Sequence, residues 1–220
     1  MSKKEIVERY IIFMVGLFIS SFGVSMITKA DLGTSPISSI PYVLSLYYPM
    51  TLGQFTIIFS IFLIILQLII LRKNFKWEHI LQIPVSIVFG YFIDFSMNIL
   101  QFVNPTAYIT KVIYLLLGCV VLGIGVYMEV LADVAMLPGE SFVRAIVFRW
   151  KSEFGITKVA FDVTSTVIAA LLSFVLMKQL AGVREGTIIA ALLVGFIART
   201  IGKILSFLPK KIFMSVKGEG

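Results

Sequence analysis

Two segments of the chain repeat one pattern about 102 residues apart. Residues 10–36 read YIIFMVGLFISSFGVSMITKADLGTSP, and residues 112–138 read VIYLLLGCVVLGIGVYMEVLADVAMLP. Each opens with an apolar run of about 20 residues, the length of a helix that crosses a bilayer. The shared positions are Gly16, Gly23-Val24, Ala30-Asp31 and Pro36 in the first segment, and Gly118, Gly125-Val126, Ala132-Asp133 and Pro138 in the second. We interpret the repeat as an internal duplication.

The composition excludes a soluble globular protein. Of the 220 residues, 59% are hydrophobic and 14% are charged, and the mean hydropathy is +1.00. A soluble domain is about 45–50% apolar and about 25% charged. The chain is therefore expected to be an all-α integral membrane protein whose main partner is the lipid bilayer.

Six apolar runs are long enough to cross the membrane. They cover roughly residues 10–29, 52–71, 80–101, 110–131, 158–177 and 187–207. The whole chain, 1–220, is predicted to form a single transmembrane domain.

The net charge is +7, and the basic residues cluster in the loops between the apolar runs. Basic clusters fall on the side of the N-terminus: Lys3, Lys4 and Arg9; Arg72, Lys73 and Lys76; Arg144, Arg149 and Lys151; Lys203, Lys210, Lys211 and Lys217. Cytoplasmic loops carry such an excess, so both termini are predicted to be cytoplasmic. The basic charge is therefore a topology signal, and no nucleic-acid partner is expected.

Each half of the repeat holds three spans, about 10–101 and about 110–207. An odd number of crossings makes the second half enter from the opposite face, so the halves are predicted to be inverted repeats. A second pair of similar segments, residues 89–93 and 194–198, supports the duplication. Its offset is three residues larger than that of the first pair. Inverted repeats are a recurring architecture of secondary transporters.

A short segment follows the first span of each half, at 32–50 and 134–154. Pro36 and Pro138 fit the first turn of a helix, and Ser35, beside Thr34, is a candidate cap. Two interpretations stay open. Each segment is either a broken helix whose N-terminus points at a substrate or an amphipathic helix lying in the interface.

The pattern Gly23-Val24, Ala30–Pro36, Leu52-Gly53 and Gly90–Asp94 resembles the YczE/YyaS/YitT-like family of bacterial integral membrane proteins. The resemblance covers roughly residues 10–205 and implies a multi-pass protein of the bacterial cytoplasmic membrane. Relatives of this kind look like permeases, and some are linked to secondary-metabolite production. The chain departs from the family in two places. It has 135–140, AMLPGE, where relatives tend to show Gly-x-Gly-Pro-x-Asp, and Lys158 and Asp162 where they tend to show Arg and Glu.

Charged residues inside spans cost at least about 2.5–3.5 kcal/mol each and usually mark a functional site. Asp94, Glu129, Asp162 and Arg199 fall in this class. Asp94 and Arg199 occupy equivalent places in the two halves, so we expect them to meet as an ion pair. Such a pair either locks the halves together or breaks and reforms when substrate or protons bind.

Further candidates lie at the span ends. Glu129 and Asp133 share a helix face near Glu140, and clustered acids attract a cation or hold a proton. Gln54 follows Gly53 at the start of the second span and is a candidate ligand contact. Gln67 is either another contact or an interhelical hydrogen bond. The candidate substrate or coupling residues are Asp94, Arg199, Asp162, Glu129, Gln54, Ser35, Thr34 and Glu140.

The function predicted best is secondary transport of a small polar or charged solute by alternating access, with proton coupling as an option. The alternative is a non-transporting scaffold that docks a cytoplasmic partner on its basic loops. The single Cys119 argues against zinc or iron–sulfur ligation, and no enzyme activity, cofactor or metal is expected. Small residues at four-residue spacing, such as Ala191 and Gly195, favour close helix packing or a homodimer.

Overall fold

The computed structural model describes residues 3–76 and 79–205 of the chain. Across these residues it contains helices, turns and loops, and no β-strand. The helices are α1 Lys3–Lys29, α2 Ser39–Tyr47, α3 Leu52–Leu71, α4 Gln82–Ile99, α5 Tyr108–Ala132, α6 Pro138–Trp150, α7 Phe154–Met177 and α8 Glu185–Ile204. Short 3-10 turns occupy Pro36–Ser38, Arg72–Asn74 and Leu100–Phe102.

Six of these helices, α1, α3, α4, α5, α7 and α8, are long and apolar enough to cross a membrane. The prediction of an all-helical membrane protein with six spans is therefore confirmed. Helices α1 and α7 begin earlier than the predicted apolar runs, at Lys3 and Phe154. In α1 the added turns carry charged residues, which hydropathy alone does not assign to a span. Residues 206–207 of the predicted sixth span, and Lys210, Lys211 and Lys217 of the basic set, lie outside the described residues.

Helix starts and ends follow from local sequence. Thr51 and Gln54 form a capping box at the start of α3, in which each side chain accepts a backbone N–H of the other residue. Pro36 and Pro138 open their short helices, where the missing N–H of proline costs nothing. A short α-helix thus follows the first span of each half, α2 after α1 and α6 after α5, as predicted.

The repeated Ala-Asp dipeptide ends α1 and α5. Asp31 and Asp133 have left-handed backbones, with φ of 55° and 49°, which Asp tolerates better than most residues. The preceding Ala30 and Ala132 are fully buried. The shared Ala-Asp motif therefore terminates the first transmembrane helix of each half.

Helices α1 and α5 run antiparallel through the centre and cross closely at glycines. A Cβ on Gly16 would lie 3.1 Å from the Gly125 carbonyl oxygen, and a Cβ on Gly23 would lie 2.5 Å from the Leu122 nitrogen. Gly23 and Gly125 are equivalent positions of the repeat. The repeated glycines therefore let the two backbones touch.

The remaining helices pack in matching pairs. α4 packs on α1 and α8 packs on α5, while α2 packs on α7 and α3 packs on α6. Adjacent helices α2 and α3 touch, as do α6 and α7. Helix α3 also packs on α4, whereas α7 and α8 share no comparable contact within the described part of the chain.

The bundle has two ends, defined here by the central helices. The N-terminal face is the end where α1 begins and α5 ends, and there Arg9 Nη1 donates to the Ala132 carbonyl oxygen at 3.0 Å. The opposite face is the end where α1 ends and α5 begins, and there Lys111 pairs with Asp31. Helix α6 lies at the N-terminal face and α2 at the opposite face.

The buried core centres on α1 and α5, with Phe13, Leu17, Ile27 and Leu115 almost completely inaccessible. Large apolar side chains cover the outer faces of the spans, Phe174 and Leu192 among them. An apolar outer surface of this extent requires a lipid environment. The chain is a membrane protein.

Candidate functional site at the N-terminal face

A cavity of about 600 Å³ lies at the N-terminal face, between the α3–α4 connection and α6. Its charged lining consists of Lys73, Lys76, Arg144 and Asp133. Leu81, Met136 and Phe148 contribute to an apolar wall. The site therefore combines a basic rim with an apolar surface, and we call it the wide cavity.

The floor of the wide cavity is a closed hydrogen-bond network that joins three helices. The Gln67 and Gln82 amides bond reciprocally, each Nε2 to the other Oε1 at 3.1 Å. Gln82 Nε2 also donates to Ser141 Oγ, and Ser141 Oγ donates to Gln67 Oε1, both at 2.9 Å. Gln67 Nε2 donates further to the Pro138 carbonyl oxygen at 3.2 Å. All four amide N–H groups are used, so the network fixes α6 against α3 and α4.

A second cavity of about 40 Å³ lies beside the first and is lined by Glu129, Asp133, Glu140 and Arg144. We call it the acidic cavity. Asp133 and Arg144 border both cavities. The two spaces are therefore neighbouring compartments separated by shared side chains.

Glu129 is the buried carboxylate of the acidic cavity and is only 7% exposed. Its Oε1 accepts a hydrogen bond from Ser20 Oγ at 2.5 Å. Ser20 belongs to α1 and Glu129 to α5, so this bond crosses the central helix pair. A buried carboxylate with a single hydroxyl donor among the described residues is well suited to binding a proton or a cation.

Glu140 and Asp162 extend the carboxylate set onto α6 and α7. Lys158 Nζ contacts both carboxylate oxygens of Asp162, at 2.5 and 2.6 Å. Burial raises the pKa of Glu140, Lys158 and Arg144 lower it, and Asp162 raises it. Three helices thus bring carboxylates together with two cations, an arrangement that can exchange a proton or a counter-ion.

The profile of a family described as a family of unknown function, DUF6198, matches residues 7–203. The chain belongs to the DUF6198 family. It is 29% identical over 198 residues to YczE of Bacillus subtilis, described as an uncharacterised membrane protein, covering 90% of this chain and 86% of YczE. It is 26% identical over 118 residues to YyaS of the same organism, covering 53% of this chain and 57% of YyaS. These matches confirm the predicted resemblance. No solved structure matches the chain significantly.

The structure of this DUF6198 member brings Glu129 and Glu140 to one cavity and places Asp162 close to Glu140. Asp94 and Arg199 lie elsewhere. Asp94 is half-buried and caps α3, accepting from Thr51 Oγ1 at 2.6 Å and from the Gly53 N–H at 2.8 Å.

The predicted Asp94–Arg199 ion pair is wrong. Arg199 is exposed on α8 and forms no ion pair within the described residues. The physical reason is that α4 packs on α1 whereas α8 packs on α5, so the equivalent positions do not face each other.

The side chains of three further candidates, Gln54, Thr34 and Ser35, form hydrogen bonds to residues nearby in the sequence. The Thr51 N–H donates to Gln54 Oε1 at 3.0 Å. Thr34 Oγ1 bonds Thr28 Oγ1 at 2.8 Å. Ser35 stands at the cap position, but its hydroxyl donates to Ser38 Oγ at 2.9 Å. The prediction that its side chain caps the helix is wrong, because the Ser38 N–H donates to the Ser35 main-chain carbonyl oxygen at 3.0 Å instead of to the Ser35 hydroxyl.

A row of buried hydroxyls on α1 was not predicted from the sequence. The row consists of Ser20, Ser21, Ser25 and Thr28 along α1. At the opposite face Thr28 hydrogen-bonds Thr34, which extends the row beyond the helix. The Thr34 N–H donates to Thr187 Oγ1 at 3.3 Å. The spacing of residues 21, 25 and 28 on one helical face was the available signal.

Proposed function

We propose that the protein is a secondary transporter of a small charged solute, working by alternating access between two inverted repeats. The observation that carries the proposal is Glu129, a carboxylate buried at the contact of the two central helices and bordering a cavity at one face. An ionisable residue at such a place is costly to keep and marks a transport or coupling site.

The helix packing supports a two-fold relation between the halves. In the two-fold relation α1 to α4 of the first half correspond, in order, to α5 to α8 of the second. The α1–α4 contact then corresponds to α5–α8, and the α2–α7 contact corresponds to α3–α6. The central α1–α5 contact corresponds to itself. Arg9 and Lys111 are equivalent by the same 102-residue offset, and each reaches the end of the other central helix. This is the arrangement that an inverted repeat requires.

The two faces differ, which supports a state open to one side. At the opposite face Arg184 Nη1 donates to the Asp31 carbonyl oxygen at 3.1 Å, and the Gly186 N–H donates to the Leu32 carbonyl oxygen at 2.8 Å. These bonds hold the start of α8 over the end of α1. The N-terminal face, in contrast, carries both cavities. An alternating-access transporter has this asymmetry when its substrate site is open to one side of the membrane and closed to the other.

The proposal also covers the orientation of the protein in the membrane and the residues that bind the coupling proton. The basic loops at the N-terminal face favour a cytoplasmic location for that face and both termini. Glu129, Glu140 and Asp162 are proposed to take up the coupling proton. The protein is proposed to act in the cytoplasmic membrane of a bacterium.

Site-specific labelling tests alternating access without knowledge of the solute. In a Cys119→Ala background, single cysteines are introduced as Met136→Cys in the cavities and Thr187→Cys at the closed face. Reaction with a hydrophilic maleimide should be fast at position 136 and slow at 187. Glu129→Gln, which mimics protonation, should change the two rates in opposite directions by several-fold.

The control for that labelling is Glu153→Gln, an exposed acid at the start of α7. It should leave both rates unchanged. Rates that stay constant in Glu129→Gln, or that move in the same direction, would argue against alternating access. In intact cells an impermeant maleimide should reach position 136 only after permeabilisation, if the N-terminal face is cytoplasmic.

The second candidate is a scaffold that docks an acidic cytoplasmic partner. The exposed basic residues Lys73, Lys76, Arg144 and Arg149 favour it. In that case, removing these charges should abolish partner capture while the labelling rates remain insensitive to Glu129→Gln.

A further inference from the structure

We propose that the wide cavity binds a phosphate monoester carried on an apolar body, held by Lys73, Lys76 and Arg144. This inference rests on the proposed function, because it names the substrate class of the same site. It goes beyond the proposed function by assigning the ligand chemistry to three basic side chains at the N-terminal face, two on the α3–α4 connection and one on α6.

The charge of the cavity lining favours an anion. Lys73, Lys76 and Arg144 line it, and none of the three forms an ion pair with any carboxylate in the part of the chain that the structure describes. Asp133 is the single carboxylate among the described residues of the lining. Among the described lining residues, three cations against one carboxylate give an excess of two positive charges, and Arg144 also borders the acidic cavity.

The size of that excess selects among anions. A phosphate monoester carries about −1.5 to −2 charges near pH 7, whereas a carboxylate or a sulfate monoester carries one. Arginine binds phosphate through two parallel N–H donors, and lysines add point charges. Asn74, also in the lining, supplies a neutral amide. A phosphate monoester therefore balances the site better than a singly charged anion.

The rest of the cavity indicates what the phosphate is attached to. The polar groups of the floor, Gln82 and Ser141, bond each other and Gln67, so they shape the site without offering a free N–H. Leu81, Met136 and Phe148 supply apolar surface in the same lining. A cavity of about 600 Å³ exceeds what inorganic phosphate fills, so it has room for an organic group against its apolar surface.

Two sources could present this chemistry, a soluble organic phosphate or the headgroup of phosphatidic acid. The test uses the full-length protein and measures thermal unfolding in phosphatidylcholine nanodiscs. Phenyl phosphate is the main probe, with phenyl sulfate as its singly charged analogue and inorganic phosphate as the analogue without an apolar body. A parallel sample adds phosphatidic acid to the nanodisc.

Phenyl phosphate should raise Tm in a saturable way, more than phenyl sulfate or inorganic phosphate does. Arg144→Gln should weaken its apparent affinity at least about tenfold, the loss expected for a charge-assisted hydrogen-bonded pair. The matched control is Arg149→Gln, which removes an exposed arginine of the same helix outside the cavity lining. Its affinity should stay within about twofold of the wild type. Unliganded Tm values of the two variants check that both fold.

Stabilisation by phosphatidic acid, lost in Arg144→Gln, with no effect of phenyl phosphate would support the headgroup as the source. Equal responses to phenyl phosphate and phenyl sulfate, or equal losses in Arg144→Gln and Arg149→Gln, would overturn the proposal. So would the absence of any response to both phosphate sources. Failure here with a positive labelling result would leave a transporter of another solute, and the reverse would leave a binding site without alternating access.

Discussion

Ser20 Oγ on α1 donates a 2.5 Å hydrogen bond to the buried carboxylate of Glu129 on α5. The two residues come from different halves of the chain, 109 positions apart. This bond is the polar contact at the centre of an otherwise close-packed helix crossing. It ties the candidate coupling residue to the contact between the repeats.

Replacing Ser20 with Ala should destabilise the protein by about 1–3 kcal/mol, since a buried carboxylate loses its hydroxyl donor. Chemical unfolding in detergent measures the change. Ser21→Ala is the comparison, because its hydroxyl donates to a backbone carbonyl and meets Ser96 only at 3.5 Å. We expect a smaller loss there. Equal losses would mean that the Ser20–Glu129 bond has no special weight.

Gly23→Ala should prevent normal packing of α1 on α5, because the added Cβ would lie 2.5 Å from the Leu122 backbone nitrogen. A backbone clash must be relieved by separating the helices, at a cost of several kcal/mol. The matched control is Gly195→Ala on α8, where, apart from the adjoining backbone of α8 itself, no atom of the described residues lies within 4 Å of the new Cβ. Thermal stability and expression should fall in the first variant and stay unchanged in the second.

Gln67→Leu should cost about 1–3 kcal/mol, because it leaves buried groups of Gln82 and Ser141 without partners. The double variant Gln67→Leu with Gln82→Leu should lose less than the sum of the single variants. A double-mutant cycle by chemical unfolding gives the coupling energy. Strict additivity would show that the amide network does not join α3 to α4. The exposed Gln101→Leu serves as the control for surface hydrophobicity.

Glu140→Gln should change how stability depends on pH. The raised pKa of Glu140 means that the folded protein binds a proton more tightly than the unfolded chain does. The contribution of this proton is complete below the ordinary pKa of 4.5 and is lost as pH rises through the higher folded-state value. Glu140→Gln should therefore gain stability relative to wild type as pH increases. Tm measured from pH 5 to pH 8 tests this, and a difference that is constant with pH would contradict it.

Asp94→Asn should weaken the start of α3 by about 0.5–2 kcal/mol, because Asp94 accepts from Thr51 and Gly53. Arg199→Gln should have little effect on stability. A double-mutant cycle between the two positions should give a coupling energy near zero. A coupling above about 1 kcal/mol would restore the ion pair that the sequence suggested.

The spans and the helix stops were predictable because they depend on local sequence. Length and hydropathy are enough to identify a transmembrane helix. The Ala-Asp repeat marks the ends of α1 and α5 since each Asp takes a left-handed backbone. The i,i+4 pair of Lys158 and Asp162 could also have been found from spacing alone.

Partners on different helices were not predictable, because hydropathy does not fix the rotation of a helix or its neighbours. Asp94 and Arg199 match in the repeat and yet face different surroundings. Gln67 and Gln82 lie 15 residues apart on consecutive spans, and their amide pairing depends on how α3 and α4 turn towards each other. The wide cavity required the α3–α4 connection to meet α6, which no local pattern indicates.

Arg144 forms part of the wall of both cavities, so the proposed anion and proton sites would be thermodynamically linked through it. Its positive charge lowers the pKa of Glu140. An anion that neutralised Arg144 from the wide side would relieve that effect and favour a proton on Glu140. By reciprocity, a proton on Glu140 would leave Arg144 a stronger ligand for the anion. One side chain would thus bias the protein towards symport, with anion and proton loaded together before any helix moves.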